Sequence, residues 1–192
     1  MSRARLSHPI VRLTVFGLIV TGALGPALTA IPAVAAPTSV VAGPPWISIE
    51  YPVNPFDRTT RGAHLLVHAY HHGTPIAQPV SGTAEGIVNG ERRTMTLRFE
   101  TTSRTGVYAL RKQWPSEGTW TLVISVTQGG DGDAAVAQAI VELSPSGAVS
   151  SVQVPMRQHA EGRFPRRLTA AEIETAVRDH AQRVASGSRA RS

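Results

Sequence analysis

In a series of short runs between Trp46 and Pro155 the apolar residues recur at every second position, and that alternation more than any other feature limits what this chain can fold into. Side chains on a strand point to opposite sides in turn, so a period of two marks strands buried on one face. Ile47, Ile49 and Tyr51 share one face of a first strand, and Ala63, Leu65, Val67 and Ala69 share one face of a second. Asn89-Gly90 separates Gly86-Ile87-Val88 from Glu91-Arg92-Arg93, a hairpin signal because both turn positions need positive φ. The return strand alternates through Met95, Leu97 and Phe99. Val107–Lys112 and Thr119–Val126 form another pair, the second with Trp120, Leu122, Ile124 and Val126 on its apolar face. Ala134–Leu143 and Val152–Pro155 complete the set. Seven to nine short strands without intervening helices predict an all-β fold, an immunoglobulin-like antiparallel β-sandwich over residues 46–156.

The two ends differ in kind. Arg3, Arg5 and Arg12 precede an apolar stretch, Leu13–Leu24, which Gly25, Pro26 and Pro32 interrupt before Ala33-Val34-Ala35-Ala36. A basic segment, a short apolar segment and a small-residue end are the parts of a secretory signal peptide, expected here over residues 1–36 with cleavage near Ala35 or Ala36. An uncleaved N-terminal anchor is the alternative. Either way the working part is expected outside the cytoplasm, secreted or periplasmic. A Pro-rich spacer, 37–45, leads into the first strand. At the other end Thr169-Ala170-Ala171-Glu172 has capping-box spacing, and Ile173, Ala176, Val177, His180, Ala181 and Val184 recur as one face of an amphipathic helix. Residues 157–192 therefore read as a linker, a loosely docked helix and a basic tail, and a chain cut before Arg163 is expected to keep the sandwich folded.

The formal charge of +6 divides unevenly. Residues 37–156 carry 8 basic and 9 acidic side chains, whereas 157–192 carry 8 basic and 4 acidic. A near-neutral body without a basic aromatic strand face argues against nucleic acid as a partner. A protein partner of unknown identity is expected, with peripheral contact to an acidic membrane surface through residues 157–192. The absence of Cys excludes disulfides, thiolate metal sites and thiol catalysis.

Gly73-Thr74-Pro75-Ile76, Thr105-Gly106-Val107-Tyr108 and Gly118-Thr119-Trp120-Thr121-Leu122 resemble the turn and strand signatures of extracytoplasmic immunoglobulin-like domains of the YtkA and FixH kind, over about residues 46–127. The resemblance implies a sandwich domain and an association with copper supply to respiratory oxidases. Related CopC-type sandwiches bind copper through a leading His, which a mature chain starting near Ala36-Pro37-Thr38 would lack. After the initiator only Met95 and Met156 remain, too few for a Met-rich copper site. Structural roles are expected for Tyr108, whose hydroxyl suits a neighbouring backbone group, and for Trp120, which suits the space between sheets.

His64, His68, His71 and His72 fall within nine residues and are the one cluster with metal-ligand chemistry, suited to copper or zinc. Four residues of straight strand separate neighbours such as His64 and His68 by about 13 Å, so one ion cannot join them without help from other strands. Asp131-Gly132-Asp133 carries two carboxylates but lacks the further oxygens of a calcium loop. Glu85, Glu91 and Glu100 read as solvent-facing, and no G-x-S-x-G, H-E-x-x-H, phosphate loop or S-x-x-K occurs. The expected function is that of a non-catalytic binding, accessory or structural module with no cofactor, the alternative being copper or zinc handling by the four histidines.

Overall fold

The computed structural model describes residues 44–129, 132 and 135–189. The segment expected to be a signal peptide, most of the spacer, Asp131, Asp133 and the last three residues lie outside the described residues. The described chain is mostly antiparallel sheet with one C-terminal helix. One sheet runs β1 (Trp46–Glu50), β2 (Leu65–His71), β7 (Val107–Leu110), β6 (Phe99–Thr101), with the short β3 (Thr74–Pro75) pairing β2. The other runs β10 (Val149–Gln153), β9 (Val136–Leu143), β8 (Thr119–Thr127), β4 (Val80–Val88), β5 (Glu91–Thr96). Ile47, Leu65, Val67, Ala69 and Leu110 of the first sheet meet Ala84, Trp120, Leu122, Ile124 and Val141 of the second in one shared core.

Size matching explains how the central pair of the second sheet closes. Along β4 the inward positions are Gly82, Ala84 and Gly86, and their partners on β8 are Ile124, Leu122 and Trp120. Small residues face large ones, so the rings and branched chains of β8 lie across β4 without clash. At Gly86 the match is close: a Cβ there would stand 2.6 Å from Trp120 Cε3. Trp120 itself is buried at 4% exposure, and its indole N–H donates to the Glu117 carbonyl at 2.8 Å. Tyr108 Oη donates to the Gln78 carbonyl at 2.6 Å, tying β7 to the segment that leads into β4.

Several features depart from the sequence reading. The alternation from Glu91 to Phe99 is not one strand: β5 pairs β4 in the second sheet and β6 pairs β7 in the first, so the chain changes sheets at Leu97-Arg98. Gln113 makes the crossing possible by replacing lost ladder bonds, its Oε1 accepting from Arg98 N and its Nε2 donating to Arg98 O. Among the described residues the strands number ten in the two sheets, against the seven to nine expected, because β3 and β6 are only two and three residues long. The presumed linker contains a hairpin of its own, β11 (Met156–His159) and β12 (Gly162–Pro165), whose Phe164 meets Trp46 edge-on. Asn89 and Gly90 do take positive φ, +52° and +81°, as the hairpin requires.

The helix α1 (Ala170–Arg189) is not a loose appendage. It packs on β8 and β4, covering the outer face of the second sheet. Its start is the capping box the spacing predicts, Glu172 N donating to Thr169 Oγ1 and Thr169 N to Glu172 Oε2, and Arg166 adds a two-pronged bond to the same carboxylate. These bonds hold the Glu172 carboxyl down at about 2, the Arg166 contact contributing most. Val177 is 1% exposed; every position of β9 is also buried although only Ala137, Ala139, Val141 and Leu143 face the core, Gln138 accepting from Leu168 N and Glu142 pairing with Arg183 on the outer side.

Candidate functional site

β2 and its flanks carry the four histidines, but the fold sends them to separate surroundings. His64 precedes the strand, its ring lying between Tyr51 and edge-on to Trp114 at 5.0 Å. Its Nε2 is buried without a hydrogen-bond partner, and burial, then the Lys112 charge, push its pKa down. His68 lies on the outer face of the first sheet, where Nε2 meets Glu50 Oε2 at 2.9 Å and the ring runs parallel to Tyr70. His71 ends β2, and His72 turns the chain with a φ of +48° beside Gly73. The fold thus brings His71 and His72 together, ring centroids 4.2 Å apart, and leaves His64 and His68 elsewhere. Among the described residues no three His, Asp or Glu side chains converge as a metal would require. Asp131 and Asp133 lie outside the described residues.

The carboxylates differ from the sequence reading at one position. Glu85, expected in solvent, is 7% exposed, because it stands on the outer face of β4 beneath the helix layer. Its oxygens accept from Thr83 and Thr94 hydroxyls and pair with Arg92 at 2.9 Å. Arg92 reaches on to Glu174 of α1 at 3.0 Å. Across the helix, Arg183 pairs with Glu142 of β9 at 2.6 Å. Two ion pairs therefore clamp the helix at opposite sides, and between them His180 Nδ1 shares a hydrogen bond of 2.9 Å with Thr121 Oγ1. Glu91 and Glu100 pair with Arg93 and Arg111 near the surface.

His180 is 2% exposed and its pKa is lowered, first by burial and then by the Arg183 charge, with Glu142 and the Leu143 carbonyl pulling the other way. An imidazole in the unfolded chain gains a proton near pH 6.5 while the buried one resists it. The unfolded state then binds more protons, so stability falls as the pH drops through 6.5 towards the lowered folded values of His64 and His180. We expect the urea midpoint to be lower at pH 5.5 than at 7.5, and the difference to shrink in a His64→Gln/His180→Gln variant. An equal difference in that variant would place the pH dependence elsewhere.

With one face covered, the free surface is the outer face of the first sheet. There the loop between β1 and β2 folds back, Val53 and Ala63 packing on Leu66, Val107 and Ala109. The loop is pinned by its own bonds. Asn54 Oδ1 accepts from Phe56 N at 3.0 Å, Asp57 N donates to Asn54 O, and Asp57 Oδ1 accepts from Thr59 N at 2.9 Å to cap a short 3-10 turn, Arg58–Thr60. Those bonds hold the Asp57 carboxyl below its ordinary range, the Thr59 hydroxyl contributing most. At the apex Phe56 is 89% exposed. Sequence reasoning missed this residue, although the Asx turn encoded by Asn54-Pro55-Phe56-Asp57 signals an outward-facing side chain. No family model matches this chain, and no match is found among curated proteins or solved structures.

Proposed function

We propose that this chain is an exported, non-catalytic binding or accessory module built on an immunoglobulin-like sandwich, related in kind to YtkA and FixH-like domains. The strand order β1-β2-β7-β6 against β9-β8-β4-β5, with a chain crossing from the second sheet to the first between β5 and β6, supports the immunoglobulin-like reading. The observation that carries the functional reading is the asymmetry of the two outer faces. One is closed by α1 and its two ion-pair clamps; the other presents a pinned loop with an exposed aromatic apex. Such a surface can meet a partner by contact and requires no bond chemistry. Export rests on the basic, apolar and small-residue order of residues 1–36.

The test has two readouts. Expressed in a bacterial host with a C-terminal tag, the protein is expected outside the cytoplasm, with an intact mass placing its new N-terminus after Ala35 or Ala36. Cytoplasmic retention at full mass would overturn the export reading. The metal-handling alternative rests on the adjacent His71 and His72 rings. Native mass spectrometry with one equivalent of copper or zinc decides it: retention that disappears in a His71→Ala/His72→Ala variant would replace the contact reading, whereas no retained ion leaves the contact reading in place.

A further inference from the structure

The loop apex on the free face combines features that point to one kind of surface. Tyr51, Pro52, Pro55 and Phe56 are all exposed within six residues, and Phe56 is almost fully so. An apolar ring held outward by backbone bonds at Asn54 and Asp57 cannot fold down onto its own domain. Arg58 and Arg61 follow at once, both exposed, and among the described residues neither guanidinium has an ion pair, whereas on the same sheet Arg104 pairs with Glu50 and Asp57 and Arg111 with Glu100. Arg61 is also fixed from below, its carbonyl accepting from Arg111 Nη1.

A convex apex has no walls with which to surround a small molecule, so it acts by insertion. Aromatic side chains settle at the boundary between headgroups and hydrocarbon, and nearby arginines gain from an anionic surface. A bilayer accepts a convex insert without a matching cavity. We propose that residues 51–61 form an interfacial anchor that docks the sandwich on an anionic membrane surface, with Phe56 entering the headgroup boundary and Arg58 and Arg61 facing lipid phosphates. This moves the expected membrane contact from the basic C-terminal segment to the opposite face of the domain. It rests on the reading that the domain works beside a membrane outside the cytoplasm.

The experiment is sedimentation of the chain from Pro37 onward with vesicles of phosphatidylcholine containing about one-third phosphatidylglycerol. The expected result is salt-sensitive binding, absent with phosphatidylcholine alone and not displaced by free glycerol phosphate. Loss of each arginine weakens it about five-fold, the equivalent of about 1 kcal/mol. Arg58→Ser/Arg61→Ser and Phe56→Ser are therefore expected to reduce binding at least ten-fold while the melting temperature stays unchanged, since all three side chains point away from the core. An Arg167→Ser/Arg189→Ser variant is expected to bind as before. Absence of binding by the parent chain, displacement by free phosphate ester, or loss confined to the C-terminal variant would each overturn the proposal. Because the protein is purified before use, those outcomes leave the export result unaffected.

Discussion

A chain that stops at Leu168 is expected to unfold at a markedly lower urea concentration than the full-length protein and to self-associate as its concentration rises. The helix packs over the outer face of β8 and β4, where Val123 is buried, and loses its own Val177 to the interface. Each buried aliphatic side chain is worth about 1.5–3 kcal/mol. Relief from ordering the helix offsets part of that, because a helix of this length is marginal alone. A net loss of about 2–4 kcal/mol is expected, large against the usual 5–15 kcal/mol of a domain. Truncation also strips Arg183 from Glu142 and Glu174 from Arg92. A point variant separates cover from connectivity: Val177→Asp keeps the chain whole but buries a charge between α1 and the sheet, and it should lose most of the same stability. If both variants melt with the parent, α1 is a passenger and the sandwich stands alone.

Trp120→Ala is expected to cost about 3–5 kcal/mol, the range for emptying an aromatic site in a core. The ring fills the space left by Gly86 directly across the ladder and carries one buried hydrogen bond to Glu117. Gly86→Ala tests the same contact from the other side, since its new methyl would meet the ring at 2.6 Å. Overpacking of this kind costs about 1–3 kcal/mol. Combined with Trp120→Ala the methyl enters a vacated space, so the double variant should be more stable than the sum of the two losses predicts. Additive losses, measured by equilibrium unfolding, would show that the ring relaxes away from β4.

The parts of the fold that follow from neighbouring residues were readable in the sequence. Asn89-Gly90, the alternation of Trp120 to Val126, and Thr169 with Glu172 each encode a local geometry, and each occurs where expected. What escaped depends on distant residues. The break at Leu97-Arg98 follows from Gln113, fifteen positions away, and the burial of Glu85 follows from a helix almost ninety residues later. The histidines show the same limit. Their closeness in sequence says nothing of His64 being drawn towards Trp114 while His68 turns to Glu50.

The late position of α1 has a kinetic consequence. The two strands it packs on are complete by Thr127, yet the helix begins only at Ala170. A chain emerging N-terminus first therefore holds both strands before the helix exists, with Val123 open to water. Contacts spanning that much sequence form slowly because loop closure must come first. Docking of α1 is therefore expected to be the last step of folding, the one that buries Val177 and His180.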